Sequence, residues 1–152
     1  MSLPEPSKDG VDHINVYSKG KTELGRQLSN FYKSVFVLPD DGMFKSVEGY
    51  WFWLGTGKQH ESLRYSSGYT AKANGSKYAK VVVEAFEEKI KSAIAAKIHQ
   101  NPELEELLKQ STLPLEHYYY YGSEESNKVI PLPKYRWMVD WIEKIRADLQ
   151  AA

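Results

Sequence analysis

The chain has 152 residues, 41% hydrophobic and 26% charged, with a formal net charge of zero; that length and mix fit one compact soluble domain with its own core. It contains no cysteine, which excludes disulfides, thiolate nucleophiles and Cys-ligated zinc. Balanced charge argues against general nucleic-acid binding, whose footprint is a basic excess, but leaves room for a local phosphate-binding group.

From the N-terminus, MSLPEPSKDG has no apolar run, so neither a signal peptide nor an anchor is expected. No stretch approaches the roughly 20 apolar residues that span a bilayer; no membrane partner is expected, and the cytoplasm is the expected location. Residues 1–10 read as a flexible tail and 11–152 as the domain. Ile14 to Tyr17 fits a short strand, and the glycine-punctuated Lys19 to Gln27 reads as a loop. Ser34 to Leu38 is rich in β-formers, Pro39-Asp40-Asp41-Gly42 is a strong turn signal, and Met43 to Lys45 fits the returning strand of a hairpin. Ser46 is a candidate N-cap for a helix that runs to about Leu54 and stops at Gly55.

Gly55 to Ser76 is polar and glycine-rich. Val83, Phe86, Ile90, Ile94 and Ile98 recur at helical spacing. Asn101-Pro102-Glu103 restarts a helix, with Asn as cap, Pro at the first position and acids in the first turn. Leu115 to Gly122, containing HYYYYG, reads as extended; Met138, Trp141, Ile142, Ile145 and Leu149 mark an amphipathic C-terminal helix. The expected fold class is α+β, predominantly α-helical, a single domain with a few short N-terminal strands.

Among chemical groups, Gly55-Thr56-Gly57-Lys58 lacks the upstream glycine and the Ser/Thr of a phosphate loop. The four histidines have no metal-ligand spacing, and no metal or other cofactor is expected. Carboxylates, hydroxyls and amides remain. Glu48 stands in SVEGYWFWL, on the helical face that carries Trp51 and Phe52. Desolvation against indole would raise its pKa and suit acid–base work, whereas a helix N-terminus favours the anion. The residues alone leave open whether Glu48 is a site carboxylate or an ordinary first-turn acid. Ser29, Asn30 and Phe31 combine polar groups with a stacking face. Lys72, between glycines in GYTAKANG, is either a phosphate contact or a solvated loop lysine.

Taken together, GRQLSNFY at Gly25 to Tyr32, Asp41-Gly42, SVEGYW at Ser46 to Trp51, SGYTAKANG at Ser67 to Gly75, NPEL at Asn101 to Leu104, HYYYYG at His117 to Gly122 and the closing IEKIR at Ile142 to Arg146 resemble the YbiA-like, or NADAR, family. The resemblance covers about residues 14–148. It implies a YbiA-like fold and N-glycosidase chemistry, cleavage of a ribose anomeric carbon–nitrogen bond. The substrates it implies are riboflavin-pathway intermediates or ADP-ribose attached to guanine, hence a nucleotide-sugar or ADP-ribosylated base as partner. The family's glutamate maps onto Glu48 and its Leu-Ser-Asn-Phe segment onto Leu28 to Phe31. The resemblance makes Leu28 to Phe31, Ser29 among them, pocket wall; the mechanism expected for such a substrate makes Glu48 the catalytic base and charge stabiliser and Asn30 a contact to ribose hydroxyls. Phe31 and Trp51 supply stacking or the hydrophobic wall, and Lys72 with Arg26 or Arg64 holds phosphate. Tyr121 stands where riboflavin-type members have a Trp, and Val82 where they carry a Trp in the long helix. The chain therefore resembles the branch with SVEGxW and HYYxYG, which favours ADP-ribosyl substrates. Glu116, Glu124, a Tyr or solvent are the candidates for protonating the leaving nitrogen.

Overall fold

A computed structural model describes residues 3–152 as a mixed α and β fold. The chain forms two compact units, one from the residues up to Ser29 together with Glu106–Ala152, the other from Asn30–Glu105.

In the first unit, Met1 and Ser2 of the expected tail lie outside the described residues. Beyond them the segment is tied down rather than loose: Pro6–Lys8 form a 3-10 turn, and buried Asp9 accepts from the backbone N–H of Asn15 at 3.0 Å and of Lys21 at 2.9 Å. The aspartate satisfies two backbone donors that the loop would otherwise leave unpaired, which is why this end is ordered. Strand β1 (Ile14–Asn15) pairs in parallel with β4 (Leu115–Glu116), a hundred residues away. Asn15 is fully buried and its amide bonds both the N–H and the C=O of Tyr118, each at 3.0 Å. That side chain does the work of a further strand residue at the start of β5 (Tyr118–Gly122), which pairs with β6 (Asn127–Pro131) in an antiparallel hairpin.

The expected loop over Lys19 to Gln27 contains helix α1 (Glu23–Leu28) instead. Thr22 caps it, its hydroxyl accepting from Gly25 N–H at 2.9 Å. The glycine that suggested a loop is there for packing: a Cβ on Gly25 would collide with the Asn15 carbonyl. Helix α6 (Arg136–Ala151) buries Met138, Ile142 and Ile145 of the expected stripe together with Val139, while Trp141 and Leu149 are half-buried.

The second unit opens with the expected hairpin, β2 (Phe36–Leu38) against β3 (Gly42–Phe44), with Gly42 at φ +84° closing the turn. Phe36 and Phe44 are completely buried, and Gln100 clips the free edge of β2 by bonding both the N–H (2.8 Å) and the C=O (2.9 Å) of Val37. Helix α2 (Val47–Gly55) starts at Ser46 as predicted and ends one residue later than predicted. The Ser46 hydroxyl accepts from Gly49 N–H at 2.9 Å and donates to the Ser66 carbonyl at 2.7 Å, wholly buried. Removing it leaves two buried partners unsatisfied. Ser46→Ala is therefore expected to cost about 2 kcal/mol in denaturant unfolding; a loss under about 0.5 kcal/mol, the scale of an ordinary surface substitution, would show that water replaces the hydroxyl.

Two more elements depart from expectation. The glycine-rich stretch folds as a 3-10 turn (Glu61–Tyr65) followed by helix α3 (Gly68–Gly75), so Lys72 is a helical residue. One of its glycines, Gly75, again serves close packing, since a Cβ there would strike the Phe52 ring. Helix α4 (Phe86–His99) begins after Val83, which precedes it, and Val82 is wholly exposed ahead of the helix rather than part of it. Helix α5 (Pro102–Gln110) starts where the Asn-Pro-Glu signal places it, Asn101 Oδ1 accepting from Leu104 N–H.

Candidate functional site

The second unit brings together Asn30, Phe31, Glu48, Trp51 and Lys72. Asn30 and Phe31 form a turn after α1 that runs between two helix starts. The Asn30 carbonyl accepts from Glu48 N–H and the Phe31 carbonyl from Gly68 N–H, both at 3.0 Å. This segment thus satisfies a first-turn donor of α2 and one at the start of α3, and holds the two N-termini in register. The Phe31 ring meets Tyr69 edge-on, centroids 5.0 Å apart, on the α3 side.

Glu48 lies in the first turn of α2. Gly49 beside it has no room for a side chain: a Cβ would run into the Leu63 carbonyl. The Glu-Gly order therefore reflects the close approach of the Glu61–Tyr65 turn to α2. Glu48 is half-buried. Burial pushes its carboxyl up to about 7, and the nearby Lys72 ammonium on α3 acts weakly the other way. Desolvation outweighs the cation, so the carboxyl exchanges its proton near neutrality, where a general base is most effective. Lys72 itself is exposed.

Next along the same face of α2 come Trp51 and Phe52. The Trp51 ring meets Phe86 edge-on at 4.9 Å. A groove of about 190 Å³ opens here, lined among others by Trp51, Phe52, Gly55, Lys80, Val81 and Phe86. Sequence reasoning missed Lys80, Phe86 and Gly55. The one available signal was Gly55 at seven residues from Glu48, two helical turns along the same face.

Arg64 is engaged within the fold. Its Nη1 bonds the carbonyls of Asp41 and Met43, its Nε pairs with Glu61 at 3.0 Å, and its guanidinium stacks 4.6 Å from the rings of both Phe44 and Trp53. A planar fork with five donors is suited to such a clamp, and it fastens the hairpin turn to α2. Trp53 and Leu54 are core, as their position off the Glu48 face implies.

The remaining predicted residues belong to the first unit. Arg26 is exposed and bonds the carbonyls of Gly20 (2.9 Å) and Lys21 (3.0 Å); Ser29 is buried at the end of α1; Tyr121 is 63% exposed near the tip of the β5–β6 hairpin. Glu116 pairs with Arg136 at 3.3 Å and Glu124 with Lys21 at 2.8 Å. Among the described residues no group of acids and histidines is placed to hold a metal ion, and no helix is long and apolar enough to cross a membrane.

The class this arrangement belongs to is set by its fold. Neither a family model nor a curated protein matches the chain. Among solved structures it is similar to the NMR structure of the Escherichia coli protein YbiA, with a TM-score of 0.66 and 21% sequence identity over 97% of this chain and 93% of that one. The chain has a YbiA-like fold.

Proposed function

We propose that the chain is a member of the YbiA-like, or NADAR, family and an N-glycosidase. It hydrolyses the ribosyl C–N bond of an ADP-ribosyl or phosphoribosyl compound, with an ADP-ribosylated base favoured. The observation that carries this reading is Glu48: a half-buried carboxyl in the first turn of α2, pushed up to about 7 by burial, with the Lys72 ammonium near enough to act on it and Trp51 one turn further along the helix. Breaking a ribosyl C–N bond places positive charge on the sugar, which a carboxylate at the anomeric carbon stabilises.

In the proposed step the C–N electron pair leaves with the nitrogen. Water oxygen bonds to the anomeric carbon, and Glu48 takes the water proton. The departing nitrogen gains a proton from solvent, so that one water is added across the bond. Asn30 holds ribose hydroxyls, Lys72 holds a phosphate by charge, and Trp51 with Phe31 shields the reacting centre.

The test is a substrate panel: NAD, guanosine carrying ADP-ribose on its base, ADP-ribose, and a phosphoribosylamino-pyrimidine, each incubated with the protein and chromatographed for released base. Release from the ADP-ribosylated guanosine is expected. Release from the pyrimidine alone would move the substrate to the riboflavin pathway. Saturable binding with no release from any compound would make the protein a non-catalytic reader of ADP-ribose.

A further inference from the structure

We infer that the groove beside Trp51 is the pocket for the leaving base, that Gly55 keeps it open, and that Lys80 contacts the base edge. This deepens the N-glycosidase reading and rests on it. Three observations bear on it. First, a Cβ built on Gly55 would meet nothing within 4 Å, unlike those on Gly49 and Gly75, which backbone or ring atoms would block. Gly55 is helical with ordinary φ, so neither a turn nor crowding calls for glycine there; the missing side chain leaves space in the groove it lines.

Second, the walls suit a flat ring. Trp51 and Phe86 stand edge-to-face, Phe52 and Val81 complete an apolar lining, and Lys80 is the charged group at the rim, with no ion-pair partner among the described residues. The segment carrying Lys80 is anchored where it crosses the end of α2, Val81 N–H donating to the Gly55 carbonyl at 2.8 Å. A space of about 190 Å³ lies below the ~300 Å³ at which drug-sized pockets begin, and takes one ring system rather than a whole nucleotide.

Third, the distance along the helix selects which ring. At 1.5 Å per residue, Trp51 lies about 4.5 Å and Gly55 about 10 Å from Glu48 along the axis. A base bonded directly to the anomeric carbon falls within that span. An adenine separated from the same carbon by two riboses and a diphosphate reaches beyond it. A lysine at the rim donates to a ring nitrogen or carbonyl and favours the base as it gains electron density on departure.

The test titrates guanosine and ADP-ribose separately into wild type, Gly55→Leu and Lys80→Met, following tryptophan fluorescence and the indole N–H signals. Gly55→Leu is expected to weaken guanosine at least about tenfold by occluding the pocket while ADP-ribose changes less than about twofold. Lys80→Met is expected to weaken guanosine about three- to tenfold, the scale of one polar contact. Both variants should melt within about 2 °C of wild type, as surface substitutions do. Guanosine affinity unchanged in Gly55→Leu, no guanosine binding to wild type, or loss of ADP-ribose instead would each overturn the assignment. Should leucine disturb the fold, Gly55→Ala and Lys80→Met carry the same comparison. The two readings fail separately. Guanosine binding that depends on Gly55 without turnover removes the hydrolase and leaves the pocket, whereas Glu48-dependent turnover with a KM indifferent to Gly55→Leu removes the pocket and leaves the hydrolase.

Discussion

Glu48→Gln is expected to lose about a thousandfold in turnover while the protein stays folded, the usual scale for removing a general base. The amide keeps the shape of the side chain and its place in the first turn of α2, but it neither accepts a proton from water nor carries charge to the sugar. In wild type, kcat/KM is expected to rise about tenfold per pH unit below 7 and to level above it, because the base acts only when ionised and its carboxyl is held near 7. A general acid would give the opposite slope. Turnover of Glu48→Gln within a few-fold of wild type, or a flat profile from pH 6 to 8, would remove Glu48 from the chemistry.

The same shift carries a stability signature. Folding raises the Glu48 pKa above its ordinary value of 4.5 to about 7. Below pH 4.5 the group is neutral in both folded and unfolded chains, and burial costs nothing. As pH rises from 4.5 to 7 the unfolded chain ionises first and gains relative to the folded one. Above 7 the full cost is present. Glu48→Gln should therefore match wild type near pH 4 and exceed it near pH 8, by on the order of 1–3 kcal/mol. A more stable and inactive variant would mark Glu48 as kept for its chemistry.

Lys97→Met is the second large effect, and it is expected to stabilise. Lys97 lies on α4 with 1% of its surface exposed, and burial pushes its ammonium down to about 7. Its Nζ lies 5.8 Å from the centre of the Tyr32 ring, an attraction that offsets part of the desolvation. The sign is opposite to that for Glu48. Above the ordinary lysine value of 10.5 the amine is neutral in both states and burial carries no charge penalty. Between 10.5 and 7 the unfolded chain takes up a proton first, so folded stability falls. Below 7 the full penalty is present. Lys97→Met replaces the ammonium with an apolar chain of similar length. It is expected to gain about 2–4 kcal/mol at pH 6 in denaturant melts, with the difference from wild type shrinking towards pH 10. A loss of stability at pH 6 would mean that contacts to the ammonium outweigh its burial.

Both groups show how far local sequence reaches. The Ser46 cap and the first-turn position of Glu48 follow from adjacent residues, but nothing local sets the balance between helix dipole and desolvation at Glu48. That balance is decided by what α3 and the Asn30–Phe31 segment place around it. Lys97 gave no signal at all. Within an amphipathic α4 pattern it falls on the buried stripe, where a lysine reads as a boundary residue until tertiary packing encloses it.

The misread segments share one cause. Gly25, Gly68 and Gly75 look like loop punctuation, and α1 and α3 were missed on their account. Two of these, Gly25 and Gly75, sit where a backbone or ring approaches too closely for a Cβ, with Asn15 against one and Phe52 against the other. A glycine kept for close packing and a glycine kept for a turn are the same letter. The setting of Arg64 was hidden for a related reason: what a guanidinium bonds depends here on the carbonyls of Asp41 and Met43, about twenty residues upstream.

What the sequence determined by itself is the set of features with short-range causes. These are the Pro-Asp-Asp-Gly hairpin, the Ser46-capped and Asn101-capped helices, the apolar stripe of α6, and Glu48 among aromatics. Each rests on dihedral preferences, a cap or a repeat of apolar residues within a few positions. The parallel pairing of Ile14–Asn15 with Leu115–Glu116, the use of the Asn15 and Gln100 amides to complete strand edges, the open space at Gly55, and the proton affinities of Glu48 and Lys97 arise only once the chain is folded. These depend on neighbours distant in the chain, and desolvation, occlusion and backbone pairing are properties of a position in space.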